Sequence, residues 1–332
     1  MNNSLVSQFK GRKCLVTGGA GFIGSNLCEY FLENNTVCCF DNLSTGYEKN
    51  IESLKSNSNF TFIQSDITNF NACLEATKGV DLVFHQAALG SVPRSIVEPL
   101  NTNASNITGF LNILEAARIN GVARFIYAAS SSTYGDSIEL PKIEENIGSP
   151  LSPYAITKYV NELYASVYSS LYGIETIGLR YFNVFGQRQD PAGSYAAVIP
   201  KFVDLMLKNK APVLNGDGKQ TRDFTHIDNV IHANELSALV DSPKALNTVY
   251  NVACGGSISL NDLVLFLKES LNEFNPLVSK IVPIHGPNRI GDIRDSLASI
   301  EKARINLGYA PLTTVKEGIK KSVPYYLDLV KA

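Results

Sequence analysis

Short apolar segments alternate with longer amphipathic segments over the first half of the chain. The short segments are rich in Val, Ile, Leu and Phe, as buried strands are. They are Lys13–Thr17, Thr36–Phe40, Phe60–Gln64, Asp81–His85, Arg124–Ala129 and Glu175–Arg180. The longer segments predict helices at Ser25–Asn34, Asn103–Asn120 and Pro153–Tyr172. This alternation predicts an α/β protein whose parallel sheet is covered by helices on both faces.

The rhythm changes after about Asn183. Loops rich in Gly or Pro then separate shorter helices. The loops are Gly186–Ser194, Asn215–Gln220 and Pro283–Asp295, and the helices include Leu260–Leu271 and Val315–Leu327. We expect residues 1–182 to form a first domain, which residues 225–252 rejoin. Residues 183–224 and 253–332 are expected to form a smaller α/β lobe that binds the substrate.

A glycine-rich run, GGAGFIG at Gly18–Gly24, joins the first predicted strand to the first predicted helix. Glycines allow a tight turn there and let the backbone approach a pyrophosphate, which the helix N-terminus then faces. Asp41 follows at the end of the second strand, where a carboxylate binds the adenine ribose and repels a 2′-phosphate. The motif predicts a Rossmann-type, doubly wound sheet that binds NAD rather than NADP. The alternative is a glycine turn that binds no ligand.

A tyrosine and a lysine, Tyr154 and Lys158, share one face of the predicted Pro153–Tyr172 helix. A lysine cation near a phenol lowers the pKa of the phenol from about 10 towards neutrality, so Tyr154 is a candidate general base. The serines of Ser130–Ser132 follow a buried strand, and their hydroxyls are expected at the same edge of the sheet. The alternative is a serine-rich turn without a catalytic role.

The amino-acid composition of the chain argues against several classes of binding partner. The chain has 332 residues and a net charge of -2, so it carries no basic field for nucleic acid. It has no apolar run of about 18 residues, so neither a transmembrane helix nor a membrane partner is expected. Six cysteines without a CxxC pair favour a reduced, cytoplasmic protein. Four histidines without HxxxH spacing argue against a metal site.

The motifs resemble those of the extended short-chain dehydrogenase/reductase family, and within it the nucleotide-sugar 4-epimerases. They follow the family's order: GGAGFIG at Gly18–Gly24, DNLSTG at Asp41–Gly46, HQAA at His85–Ala88, SSSTYG at Ser130–Gly135, SPYAITK at Ser152–Lys158, RYFNVFGQRQ at Arg180–Gln189, GDGKQTRDFTHIDN at Gly216–Asn229, YNVACG at Tyr250–Gly255 and RIGD at Arg289–Asp292. LGSVPRS at Leu89–Ser95 and AAVIPKF at Ala196–Phe202 are similar to a bacterial subgroup that prefers UDP-N-acetylglucosamine and UDP-N-acetylgalactosamine.

The resemblance implies NAD-dependent, reversible epimerisation at C4 of a UDP-sugar. Tyr154 would take the proton from the sugar O4 while the C4 hydride passes to NAD. Ser130, with Ser132, would hydrogen-bond O4, and Lys158 would hold the nicotinamide ribose and tune Tyr154. The 4-keto sugar would then rotate and take the hydride back on its other face, so NAD should stay bound.

Motifs and resemblance together assign three overlapping sets of residues. The catalytic set is Ser130, Ser132, Tyr154 and Lys158. The cofactor set is Gly18, Gly21, Phe22, Ile23, Gly24, Asp41, Asn42, Ser44, Thr45, Gly46, Asp66, Ile67, Gln86, Ala87, Ala88, Tyr154, Lys158 and Tyr181. The substrate set is Gly90, Ser91, Ser130, Ser131, Ser132, Tyr154, Asn183, Ala197, Val198, Lys201, Arg222, Arg289, Asp292 and Ser296.

Two further expectations come from the resemblance. In the family that the chain resembles, the residue at the position of Ser296 forms the part of the pocket wall next to C2 of the sugar. A small residue there implies room for a 2-acetamido group. The family also implies a homodimer in which the Asn103–Asn120 and Pro153–Tyr172 helices of two copies form a four-helix bundle.

Three other functions stay open. Sugar-nucleotide dehydratases and decarboxylases also oxidise C4, but they carry Asp or Glu just after the Ser or Thr, where this chain has Ser131 and Ser132. A 4-epimerase of a UDP-hexuronic or UDP-N-acetylhexosaminuronic acid needs a cation near C6, for which Arg94 and Lys201 are candidates. A non-catalytic NAD-binding protein has no need of the intact tyrosine–lysine pair.

Overall fold

The computed structural model of the chain describes residues 9–191, 197–287 and 294–331. Its strands are β1 Lys13–Thr17, β2 Thr36–Asp41, β3 Phe60–Gln64, β4 Leu82–His85, β5 Arg124–Ser130, β6 Glu175–Tyr181, β7 Val184–Phe185, β8 Val213–Asn215, β9 Thr221–Arg222, β10 Thr225–His226, β11 Thr248–Val252, β12 Ile258–Ser259 and β13 Ile284–Gly286. Its α-helices are α1 Phe22–Leu32, α2 Phe70–Ala76, α3 Val92–Val97, α4 Pro99–Asn103, α5 Gly109–Ile119, α6 Pro153–Tyr172, α7 Val198–Leu207, α8 Ile227–Leu239, α9 Leu260–Asn272, α10 Glu301–Leu307 and α11 Val315–Lys331.

Seven of the described strands form one sheet, in the order β3-β2-β1-β4-β5-β6-β11, and every neighbouring pair is parallel. Helices α1 and α8 cover one face, where Leu27 and Val230 are fully buried. Helices α2, α5 and α6 cover the other face, with Phe110 and Ala165 in its core. Strands buried on both faces need continuous apolar runs, which is why the sequence pattern located them. The predicted Rossmann-type, doubly wound α/β fold is confirmed.

The helix expected at Asn103–Asn120 begins earlier and is not regular throughout. It starts with α4 at Pro99, passes through a π-helical turn at Ala104–Thr108 and continues as α5. Asn106, fully buried within that turn, donates from Nδ2 to the Thr157 hydroxyl at 3.1 Å and accepts the Leu89 amide at 2.8 Å. A wider turn re-aims one side chain without ending the helix, and here it points Asn106 at α6.

A second core lies beyond the sheet. Helices α7, α9 and α11 pack around buried residues such as Ile199, Leu263 and Ile319. The segment expected to be a loop at Pro283–Asp295 contains β13, because Ile284–Gly286 pairs in parallel with β8. Strand β11 pairs with β6 at the edge of the main sheet, while β10 pairs with β7. Among the described helices, none combines the length and apolar character needed to cross a bilayer.

Candidate active site

A cavity of about 500 Å³ lies where the strand order reverses, between the carboxyl ends of β1 and β4. Open α/β sheets bind ligands at this position. Gly18 has a φ of +67°, and a Cβ there would lie 2.7 Å from the backbone nitrogen of Ala87. A Cβ on Gly24 would lie 2.1 Å from the Gly18 carbonyl oxygen. Glycine is therefore required at both positions, and the turn they form leaves a cradle that suits a dinucleotide pyrophosphate.

Asp41 closes the other end of this cradle. Its side chain is 7% exposed, and its two oxygens accept the backbone amides of Ala20 at 2.9 Å and Leu43 at 2.8 Å. Burial raises the pKa of Asp41 above its ordinary value, and the backbone hydrogen bonds oppose that rise. A carboxylate has about four lone-pair positions, so it retains acceptors for ribose hydroxyls.

Most of the residues expected at the cofactor lie around this cavity. These are Gly18, Gly21, Phe22, Ile23, Gly24, Asp41, Asn42, Ser44, Thr45, Ile67, Gln86, Ala87 and Ala88. Gly46 and Asp66 do not line it. Gly46 packs behind the glycine turn, where an added Cβ would lie 2.9 Å from the Ala20 carbonyl carbon. Asp66 accepts the Asn42 amide at 2.6 Å, so it supports a lining residue from outside.

The sequence motifs missed part of the cavity wall. Tyr47 donates its hydroxyl to Asp190 Oδ2 at 2.7 Å, and both residues line the cavity. Tyr47 and Asp190 are 143 residues apart, so only the folded chain brings them together. No local pattern could have indicated this contact.

A larger cavity, of about 970 Å³, adjoins the first and lies over the carboxyl ends of β5 and β6. The two cavities share lining residues, among them Phe22, Gln86 and Gly90. Helix α6 begins at this cavity because the Ser152 hydroxyl accepts the Ala155 amide at 3.1 Å and Pro153 occupies the first turn. The predicted residues that line the larger cavity are Phe22, Ile23, Gln86, Ala88, Gly90, Ser130, Ser131, Ser132, Tyr154, Lys158, Tyr181, Asn183, Arg222 and Ser296.

The hydroxyls of Ser132, Ser130 and Tyr154 form a short hydrogen-bonded series. Ser132 donates from both its hydroxyl, at 2.9 Å, and its backbone amide, at 3.2 Å, to Ser130 Oγ. Ser130 in turn hydrogen-bonds Tyr154. Because Ser130 Oγ already accepts twice, its own proton is directed away from Ser132, towards the phenol and the cavity.

The ammonium of Lys158 is buried against the backbone of β5. Lys158 is 2% exposed, its ammonium donates to the Ala128 carbonyl oxygen at 2.7 Å, and burial lowers the pKa of Lys158 to about 8. Burial raises the pKa of Tyr154, and the hydrogen bond with Ser130 opposes that rise. The lowering of the Tyr154 pKa by the lysine cation stays a prediction.

Residues of the smaller lobe form the end of the larger cavity that lies away from the sheet. Asn183, Ala197, Val198 and Arg222 line a recess of about 320 Å³. The Arg222 guanidinium donates to the carbonyl oxygens of Thr221 at 2.7 Å and Arg294 at 3.2 Å. This contact joins β9 to the segment that carries Ser296.

Two described members of the substrate set, Ser91 and Lys201, line neither the larger cavity nor the recess. Ser91 caps α3 by accepting the Arg94 amide at 3.1 Å, and it lines the smaller cavity. Lys201 is exposed on α7 and lines none of these cavities. Arg289 and Asp292 lie outside the described residues.

Fold and site together define the class. A glycine turn and a buried carboxylate at the reversal of a parallel sheet, beside a Ser–Tyr–Lys set, are the features of a dinucleotide-dependent enzyme of the short-chain dehydrogenase/reductase type. The model of the NAD dependent epimerase/dehydratase family matches residues 14–253. The chain belongs to this family, and NAD is its cofactor.

Solved structures of UDP-sugar 4-epimerases superpose closely on the chain. The UDP-N-acetylglucosamine 4-epimerase from Methanobrevibacter ruminantium M1, in complex with UDP-N-acetylmuramic acid, is 37% identical, with a TM-score of 0.90 over 96% of this chain and 99% of that one. The UDP-glucose 4-epimerase of Thermotoga maritima, solved with UDP-glucose, is 34% identical, with a TM-score of 0.87 over 96% of this chain and 99% of that one. The UDP-glucuronic acid 4-epimerase of Bacillus cereus, in complex with UDP-glucuronic acid and NAD, is 31% identical, with a TM-score of 0.84 over 96% of this chain and 99% of that one. The resemblance to nucleotide-sugar 4-epimerases is confirmed.

Proposed function

We propose that the chain epimerises UDP-N-acetylglucosamine and UDP-N-acetylgalactosamine at C4, and also accepts UDP-glucose and UDP-galactose. The observation that carries this proposal is the continuity of the two cavities. The hydroxyls of Ser130 and Tyr154 line a cavity that shares the walls of Phe22, Gln86 and Gly90 with the NAD cradle. A sugar held there lies between a proton acceptor and the cofactor.

Ser132, Ser130 and Tyr154 carry out the acid–base chemistry of the proposed reaction. Tyr154, as phenolate, accepts the O4 proton when C4 is oxidised and returns it when C4 is reduced. Ser130, whose oxygen accepts the Ser132 hydroxyl, would turn its single proton from the phenol to the bound sugar and hold O4 near Tyr154. When bound, NAD supplies the acceptor of the C4 hydride and its donor in the return step. Lys158, whose ammonium donates to the Ala128 carbonyl oxygen, would bind the nicotinamide ribose.

Substrate choice is argued from the wall of the larger cavity. Ser296 lines it, and its backbone amide donates to the Thr221 carbonyl oxygen at 3.2 Å, which fixes the segment beside Arg222. A serine leaves space that a large side chain would fill, so a 2-acetamido group can enter. The Methanobrevibacter relative, whose structure holds UDP-N-acetylmuramic acid, supports a pocket of this kind.

A 4-epimerase of UDP-hexuronic or UDP-N-acetylhexosaminuronic acids is the second candidate, favoured by the similarity to the UDP-glucuronic acid 4-epimerase of Bacillus cereus. The two cations considered for a C6 carboxylate do not meet the sugar cavity. Arg94 lines the cofactor cavity, and Lys201 is exposed on α7. Neither Arg94 nor Lys201 therefore provides a partner for a C6 carboxylate.

The proposal includes a cytoplasmic homodimer. Helix α6 exposes an apolar stripe in which Ile156, Leu163 and Val167 are each about half exposed and Leu171 is 69% exposed. Leu100 on α4 is 83% exposed. Spacing of four or seven residues keeps such side chains on one helix face, and burying this face against a second copy removes it from water. Sedimentation analysis of the wild type and of Leu163→Lys tests the dimer, since a charge in the stripe should yield monomer.

The substrate proposal is tested by proton NMR of the purified protein with UDP-N-acetylglucosamine, UDP-glucose and their uronic forms, without added NAD or reductant. The expected result is a mixture of the two C4 epimers from UDP-N-acetylglucosamine, with slower or equal conversion of UDP-glucose. Conversion of the uronic forms alone would establish the second candidate instead. Conversion of none of them would overturn both.

A further inference from the structure

Lys142 is a buried cation in the wall of the larger cavity to which the catalytic scheme gives no role. The residue is 5% exposed and lines the same cavity as Ser130, Tyr154 and Ser296. It follows the cis peptide bond between Leu140 and Pro141 in the segment that leads to α6. The other cations that described residues bring to this cavity are Lys158, which is proposed to bind the nicotinamide ribose, and Arg222, whose guanidinium donates to the carbonyl oxygens of Thr221 and Arg294.

Backbone pairing places Lys142 beside the segment that carries Ser296. The Lys142 amide donates to the Leu297 carbonyl oxygen at 2.8 Å, and the Ser299 amide donates to the Lys142 carbonyl oxygen at 2.9 Å. Lys142 is thus bridged in parallel to Ala298, two residues after Ser296. The lysine of the first domain and the serine of the smaller lobe therefore belong to one continuous wall.

The ammonium of Lys142 has unused hydrogen-bonding capacity. It donates to the Ser137 carbonyl oxygen, which accounts for one of its three N–H groups. Within the described chain, no carboxylate forms an ion pair with it, and the acid that acts on its charge is Glu139 on the surface. Asp295, the carboxylate that the described residues place in this cavity, accepts the Thr221 hydroxyl at 2.8 Å. A buried ammonium with donors to spare needs an acceptor, and the cavity is where a ligand can provide one.

We infer that Lys142 is a specificity-determining residue that donates a hydrogen bond to the carbonyl oxygen of the substrate's 2-acetamido group. This inference rests on the proposed function. Ser296 provides room for the acetamido group, whereas Lys142 provides its polar partner. A hydroxyl at C2 is shorter than an acetamido group and does not reach the same donor. Discrimination therefore comes from a hydrogen bond that only the acetamido group can form, as well as from the absence of a steric clash.

Steady-state kinetics on matched substrates test the inference. Lys142→Met keeps the length of the side chain and removes the donors, whereas Lys142→Gln keeps an N–H donor. We expect Lys142→Met to lower kcat/KM for UDP-N-acetylglucosamine at least about tenfold more than for UDP-glucose, the scale of one charged hydrogen bond. Lys142→Gln should recover part of that difference. Asn146→Ala is the control, because it removes an exposed bond to Glu139 in the same segment and should leave the ratio unchanged.

Each contrary outcome has a distinct meaning. Equal losses on both substrates would overturn the inference, because the bond to Ser137 would then explain the whole effect. A loss confined to uronic forms, whatever their C2 group, would also overturn it, since Lys142 would then bind a carboxylate. Failure of the wild type to convert UDP-N-acetylglucosamine, with conversion of UDP-glucose intact, would refute the proposed substrate before any variant is compared.

Discussion

The cofactor cradle and the sugar cavity are built in different ways. The cradle consists largely of backbone: a glycine turn that excludes side chains, and Asp41 held by the amides of Ala20 and Leu43. The sugar cavity consists of side chains from both parts of the chain, including Ser130, Tyr154 and Ser296. Backbone recognition suits a cofactor that every family member shares, whereas side chains can be exchanged to change the substrate. Mutations in the two regions should therefore have different consequences.

The largest effect is expected in the sugar cavity, at the catalytic phenol. Tyr154→Phe should lower kcat by at least about 100-fold, the usual scale for the loss of a general base, while the KM changes little. The variant should still purify with NAD, because the cradle is untouched. Stopped assays of the epimer ratio together with the nucleotide content measure both quantities. Near-normal turnover would mean that another group takes the O4 proton.

A methyl group in the cradle should remove the cofactor. Gly24→Ala places a Cβ at 2.1 Å from the Gly18 carbonyl oxygen, so the turn must open and most of the bound NAD should be lost. The wild type should release NAD on denaturation, measured by absorbance and enzymatic assay of the supernatant. Gly256→Ala is the control, since a Cβ there meets nothing within 4 Å. Equal NAD content in all three proteins would contradict the role of the turn.

Ser296→Tyr should separate the two substrate pairs. Filling the C2 side of a packed cavity costs about 1–3 kcal/mol, which corresponds to roughly tenfold to hundredfold in rate. UDP-N-acetylglucosamine and UDP-N-acetylgalactosamine should lose turnover by at least that factor, while UDP-glucose and UDP-galactose keep theirs. Parallel losses on all four would indicate damage to the fold. No loss on any would place Ser296 away from the substrate.

The smallest effect is expected at Asp41. Asp41→Ala should relax discrimination against NADP, because it removes the repulsion of the 2′-phosphate. Asp41→Asn is the matched variant that removes the charge but keeps an oxygen able to accept one of the backbone amides. Fluorescence titration of both nucleotides gives the ratio of affinities. If the ratio stays at its wild-type value in both variants, selectivity lies in other residues.

The fold was predictable where its determinants are local. Lys13–Thr17, Phe60–Gln64 and Pro153–Tyr172 have in the structure the bounds that their hydrophobic patterns predicted. The π-helical turn was not predictable, because it depends on the tertiary contact between Asn106 and Thr157. Strand β13 was missed for the same reason, since it exists by pairing with β8.

The candidate site likewise contains residues that local sequence motifs predicted and residues whose placement depends on tertiary contacts. The glycine turn, Asp41 and the serine–tyrosine set were found as motifs, and the structure brings them around two adjoining cavities. Lys142 and the Tyr47–Asp190 pair had no motif, because their placement depends on segments far apart in the chain. The predicted effect of Lys158 on the pKa of Tyr154 stays a prediction, because helical spacing places two side chains on one face without fixing where the ammonium bonds. The roles of these residues remain predictions.

The central claim is that the enzyme oxidises and reduces the same C4 without exchanging its cofactor. The most direct measurement uses UDP-N-acetylglucosamine carrying deuterium at C4, incubated in ordinary water with purified protein and no added NAD. Mass spectrometry and NMR then follow the label in the UDP-N-acetylgalactosamine formed. The account predicts that the product retains deuterium at C4. Product with hydrogen at C4, or no product at all, would contradict it.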